Sequence, residues 1–195
     1  MNNKLAVFFP GIGYTVDKPL MHYSRRIAAR QGYDILLMTY TGFPSGIRGD
    51  EALMRRAYEI ALAQTQEMLA GVDLSKYSDI LFVGKSIGTV VAAKVASQSP
   101  AADRIRFVLY TPLESTFAFP LGEAVAFTGT ADPWVGGKDS RIEALCRERN
   151  IPCTVIPDVN HSLEGDSIKK DLKNMKMIMR ETKRFVKKTP RKEKM

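Results

Sequence analysis

Short runs of apolar, strand-forming residues alternate along the chain with longer stretches in which apolar positions recur every three or four residues. The short runs cover 5–9, 33–40, 80–83, 105–110, 124–128 and 153–156. The longer, helix-patterned stretches cover about 18–31, 49–70, 86–99, 138–150 and 165–187. The short runs are continuously apolar rather than alternating, as expected of strands covered on both faces. Parallel neighbours need crossovers of the length seen between the runs. The pattern therefore predicts an α/β protein: one doubly wound, mainly parallel sheet of about six strands, with helices on both faces. Residues 1–187 read as a single domain without an internal repeat, and 188–195 as a basic, frayed tail. In such sheets, sites form in the crevice beyond the carboxyl ends of the strands.

Composition narrows the class. A chain of 195 residues that is 45% hydrophobic can bury a real core. The cysteines, Cys146 and Cys153, are too few for a disulfide scaffold or a zinc cluster and read as reduced core residues. The apolar run at 5–9 is cut short by Pro10 and Gly11, too soon for a signal-peptide core or a membrane span, so a cytoplasmic protein without a membrane span is expected. The net charge is +8, but 183–195 holds seven basic residues against Glu193, which is +6 of it. The remainder is near neutral, so neither a basic face nor a nucleic-acid partner is expected.

The chemistry concentrates after the third run. Gly84, Lys85, Ser86, Ile87 and Gly88 follow a strand and open a helix-patterned stretch, which is the context a G-x-S-x-G turn requires. The turn is so tight that side chains at its first and last positions would collide. Glycine at both pushes Ser86 out over the sheet. The helix start aims its amides at the hydroxyl, and the N–H of Ile87 is positioned to hold a developing oxyanion.

A serine hydroxyl needs a base, and the base needs a carboxylate to orient it. Two histidines are present. His22 falls early in the first helical stretch and reads as an ordinary helix histidine. His161 lies in the loop after the last strand and is the candidate base. Asp132, in the loop after the run at 124–128, is preferred as the acid over Asp158, which shares a short loop with His161 and would have to fold back sharply.

The order Ser86, Asp132, His161 resembles that of the α/β-hydrolase superfamily. The resemblance extends over residues 4 to about 187 and rests on four segments, 8–14, 84–88, 129–133 and 160–164. More narrowly, the chain looks like the small lidless bacterial members related to dienelactone hydrolases and carboxylesterases, although dienelactone hydrolases carry a cysteine where this chain has Ser86. The resemblance implies a serine hydrolase of the carboxylic-ester class, with no cofactor or metal, acting on a small soluble ester, thioester or lactone through an acyl-enzyme. It also implies a second oxyanion amide from the loop after the first strand, at Ile12. The histidine common in that loop is absent here. A dinucleotide-binding reading of the loop fails, because Val16 stands where the last glycine of G-x-G-x-x-G is needed.

Many relatives insert a lid after the fourth strand. Here only 111–123 separates that strand from the next, too little for a lid domain and suited to an open site. Candidate pocket walls are Tyr14, Phe43, Phe117, Phe119 and Trp134. Of the charged residues near the predicted mouth, Lys85 is expected to point away from the hydroxyl and pair with a neighbouring helix, Glu164 to cap the last helix, and Glu114 has no assigned role. Two other readings keep the fold: a non-catalytic binding protein using the basic tail, and an acyltransferase using the same three residues. The oligomeric state is not encoded in these patterns.

Overall fold

The computed structural model describes residues 3–137 and 140–188. Six strands form one sheet: β1 (Lys4–Phe9), β2 (Asp34–Leu37), β3 (Asp79–Lys85), β4 (Ile105–Tyr110), β5 (Ala124–Gly129) and β6 (Cys153–Ile156). All neighbours run parallel, in the order β2-β1-β3-β4-β5-β6. The helices are α1 (Pro19–Arg30), α2 (Glu51–Leu69), α3 (Ile87–Ser97), α4 (Ile142–Glu148) and α5 (Ile168–Lys187).

The chain leaves β1 toward β2 on one side and then returns to place β3 on the other. The loops after β1 and β3 therefore diverge across a crevice, the switch point at which open parallel sheets hold ligands.

Side chains alternate between two cores along each central strand. Ala6, Phe8, Leu81, Val83, Val108 and Tyr110 face α1 and α5. Val7, Phe9, Ile80, Phe82, Phe107 and Leu109 face α2, α3 and α4. Helix α3 is apolar around its circumference and almost wholly buried, as a central helix under two neighbours must be. Local signals set the helix starts: Pro19 opens α1, and the Asp50 carboxylate accepts the Leu53 N–H at the start of α2.

Several boundaries differ from the sequence reading. β2 is an edge strand with a single sheet neighbour, and it ends at Leu37 although the apolar run continues to Tyr40. Ser140 Oγ accepts the Ile142 N–H, and α4 begins there; Lys138 and Asp139, where the predicted helix began, lie outside the described residues. Helix α5 starts at Ile168, because Gly165 is held in a preceding turn by the Asp171 carboxylate. Of the predicted tail only Lys188 is described; 189–195 lie outside the described residues.

The expectation of no basic face is corrected. Arg26 and Arg30 of α1 gather with Lys173, Lys176, Arg180 and Lys183 of α5 around a hollow of about 860 Å³ on the outer surface. Counting charge along the chain averaged over what helical periodicity collects on one side. No helix among the described residues is long and apolar enough to cross a membrane.

Candidate active site

Between the end of β3 and the start of α3 stands one residue, Ser86, with φ 55° and ψ −126°. This is left-handed backbone that a non-glycine residue occupies only when its surroundings impose it. They do so on both sides. The Ser86 N–H donates to the Tyr110 carbonyl at 3.0 Å, and the Ser86 carbonyl accepts from the Thr89 N–H at 2.9 Å and the Thr89 hydroxyl at 2.7 Å. The flanking glycines are sterically required. A Cβ at Gly84 would sit 2.8 Å from Thr89 Cα, and one at Gly88 would sit 2.1 Å from the Phe9 carbonyl oxygen.

His161 arrives from the loop after β6. Its Nε2 lies 2.7 Å from Ser86 Oγ, and its Nδ1 lies 2.6 Å from Asp132 Oδ2. Asp132 is fully buried, and its other oxygen accepts the Trp134 N–H at 2.9 Å. A buried carboxylate against Nδ1 makes Nδ1–H the donor, which leaves Nε2 free to accept from the serine hydroxyl. Burial holds the imidazole below its usual value of 6.5; the Asp132 hydrogen bond opposes that shift and the nearby Lys85 charge adds to it. The imidazole is therefore neutral, and able to take a proton, at neutral pH.

The loops carrying Asp132 and His161 are tied to each other. Ala131 N–H donates to the Val159 carbonyl at 3.1 Å, and Asp158 N–H donates to Thr130 Oγ1 at 2.9 Å. The Asn160 side chain closes the histidine turn by accepting the Ser162 N–H at 2.7 Å. Asp158, the alternative acid, is exposed, and it is Asp132 that meets the imidazole. His22 sits on α1, its Nδ1 3.4 Å from Arg25 Nη2, outside this site.

A small hollow of about 170 Å³ opens over Ser86 and is bordered by Ile12, Gly13, Tyr14, Met54, Lys85, Ile87, Trp134, His161 and Ser162. Ile12 and Ile87, the two candidate oxyanion amides, thus border the same space from opposite sides of the crevice. Trp134 flanks the imidazole, ring centroids 5.5 Å apart. Burial raises the Tyr14 phenol to about 12, and its oxygen accepts the Leu20 N–H.

The remaining aromatic candidates do not border this hollow. Phe117 is core, 2% exposed, because the short 3₁₀ turn Glu114–Ala118 rolls its side chain inward. Phe43 packs against Tyr40, ring centroids 6.0 Å apart. Phe119 lines a neighbouring apolar groove of about 270 Å³ that shares Met54 and Ile87 with the hollow. Glu114 pairs with Arg141 at 4.0 Å on the rim of a further, more polar hollow beside Trp134. Met54 borders all three spaces; within the helical stripe of α2 it was one apolar position among several. Asn160 carried a readable signal, since an Asn side chain in a loop favours a turn by accepting the backbone N–H two residues on.

Two charge expectations are corrected. Lys85 does not pair with a helix. It is 1% exposed, its Nζ stands 5.0 Å from the Tyr14 ring centroid, and it borders the hollow over Ser86. Burial lowers the ammonium to about 7, with Asp132 pulling the other way. Glu164 does not cap α5. The N-cap position belongs to Ser167, and the Glu164 N–H is instead tied to Asn160 Oδ1. Cys146 is buried and Cys153 half-buried, both as free thiols.

No family model matches the chain, and no curated protein matches it. Solved structures do. An esterase of Pyrococcus furiosus is 14% identical, with a TM-score of 0.65 over 97% of this chain and 83% of the other. A lidless α/β serine hydrolase of Xanthomonas campestris is 12% identical, with a TM-score of 0.61 over 97% of this chain and 85% of the other. An α/β serine hydrolase homologue of Coxiella burnetii is 16% identical, with a TM-score of 0.57 over 91% of this chain and 84% of the other. The likeness is one of fold: the chain has the α/β-hydrolase architecture.

Proposed function

We propose that the protein is a serine hydrolase that cleaves a small ester, thioester or lactone through an acyl-enzyme on Ser86. The observation that carries this reading is the continuous relay in which His161 touches both Ser86 Oγ and the buried Asp132 carboxylate, at 2.7 and 2.6 Å. A structural serine has no need of a strained backbone and a half-buried, partnered histidine held neutral beside it.

In the proposed cycle Ser86 Oγ attacks the substrate carbonyl as its proton passes to His161 Nε2. The carbonyl oxygen becomes an oxyanion, held by the N–H groups of Ile12 and Ile87. The tetrahedral intermediate collapses, the bond to the leaving oxygen or sulfur breaks, and His161 returns its proton to that atom. Water then attacks the acyl-enzyme by the same steps in reverse roles, releasing the acid and regenerating Ser86. Asp132 holds the Nδ1–H tautomer throughout. The segment 111–123 is too short to close over the hollow, which favours soluble substrates over aggregated lipid.

Hydrolysis of short-chain esters by the parent protein and by Ser86→Ala tests the reading. The alanine variant should retain its thermal transition and lose at least ~10⁴-fold in kcat/KM, the scale on which removing the nucleophile of such a triad acts. Equal turnover by both proteins would exclude the mechanism.

A further inference from the structure

Two basic side chains, Arg106 and Lys85, are at most 3% exposed among the described residues, and they are treated very differently. Arg106 spends its guanidinium on Asp79, Tyr33 and a helix carbonyl. The Lys85 ammonium makes no hydrogen bond and no ion pair among the described residues; its Nζ lies over the Tyr14 ring, and both Lys85 and Tyr14 border the hollow that holds Ser86. The charged and titratable groups around it are Asp132, His161 and Tyr14. Asp132 has one oxygen on His161 and the other on the Trp134 N–H; it attracts the ammonium through space but forms no direct ion pair with it. A cation removed from water without a hydrogen-bonded partner is costly, and Lys85 is at the edge of the reaction hollow.

We propose that Lys85 is a specificity-determining residue that binds a carboxylate carried by the substrate close to its scissile carbonyl. The substrate class is then an ester, thioester or lactone of a small acid bearing a second, ionised carboxyl group. This inference rests on the hydrolase reading above and names its substrate. The hollow of about 170 Å³ sets the scale. At ~30 Å³ for each group the size of a water molecule, it takes roughly five or six non-hydrogen atoms, enough for a scissile carbonyl and a carboxylate a few bonds away.

The test compares monoethyl succinate with ethyl pentanoate, which are close in size and differ in charge. In the parent protein at pH 6 the ratio of their kcat/KM values should favour the anion at least tenfold. The ratio should fall as pH rises through about 7, where Lys85 gives up its proton. In Lys85→Met the ratio should drop at least tenfold and lose that pH dependence. A ratio that is the same in both proteins overturns the proposal, whether Lys85 then serves the oxyanion of every ester or only packs.

A second measurement is independent of turnover. Trp134 is the single tryptophan and flanks His161, so succinate titrated into the parent protein should change its fluorescence saturably, more weakly above pH 7 and at least tenfold more weakly in Lys85→Met. Absence of succinate binding by the parent overturns the Lys85 assignment even when ethyl pentanoate is hydrolysed. Lys85-dependent succinate binding without turnover of either ester supports the carboxylate site and counts against the hydrolase reading alone.

Discussion

Strand β3 carries a buried charge at each end, and the two ends use charge in opposite ways. At the amino end Asp79 is enclosed by the Arg106 guanidinium at 3.1 Å to both oxygens and by the Tyr33 hydroxyl, while Arg106 also donates to the Phe185 carbonyl of α5. Every group there has a partner, and the cluster ties the sheet to its last helix. At the carboxyl end the Lys85 ammonium has no direct ion pair among the described residues, Ser86 is in left-handed backbone, and His161 is held neutral by burial. One end has satisfied its polar groups and is spent on structure; the other retains strain and a buried basic group without a direct partner, the condition of a site that acts on a ligand.

A single substitution can disrupt either end of β3. The largest effect is expected at the carboxyl end: Asp132→Asn keeps the shape but lets the imidazole take the other tautomer, and kcat/KM should fall by about 10³–10⁴. Steady-state kinetics beside an unchanged circular-dichroism melt would check it.

At the amino end Asp79→Ala leaves Arg106 buried and unpaired. It should cost about 3–5 kcal/mol in urea unfolding while the folded fraction keeps its kcat/KM. A loss of activity with full stability would mean that the two ends are coupled.

The pH profile gives a smaller but signed effect. In the proposed mechanism His161 is a base only when neutral, and burial lowers its pKa, so kcat/KM should rise with pH along an acid limb whose midpoint lies below 6.5. Lys85→Met removes a neighbouring cation that depresses the imidazole, so the limb should move to higher pH. The smallest effect belongs to the rim. The Glu114–Arg141 pair is exposed on both sides and 4.0 Å long. Arg141→Ala should change stability by about 0.5 kcal/mol or less in thermal unfolding.

The parts of this molecule legible in its sequence are those governed by local rules. Continuously apolar strands announced a covered parallel sheet, and the glycines at 84 and 88 announced a turn whose close approaches admit no Cβ. The partners of Ser86 were readable as residue types on loops at one sheet edge, since Asp132 and His161 each follow a strand. What stayed hidden depends on contacts between distant segments. Lys85 meets Tyr14, 71 positions earlier, only because β1 and β3 are neighbours in register, and its neighbour in sequence gave no sign of that burial. Phe117 and Phe119 are two residues apart, yet one enters the core and the other an apolar groove, which the turn between them decides. The basic face shared by α1 and α5 vanished in a sum of charges because its members are spread across both ends of the chain.

The most direct test of the central claim is to treat the protein with a fluorophosphonate and locate the adduct by mass spectrometry, since covalent capture requires an activated serine and no knowledge of the substrate. One modified residue, Ser86, is expected in the parent protein and none at that position in His161→Ala. Labelling elsewhere, no labelling of well-folded parent protein, or equal labelling of Ser86 without His161 would contradict it.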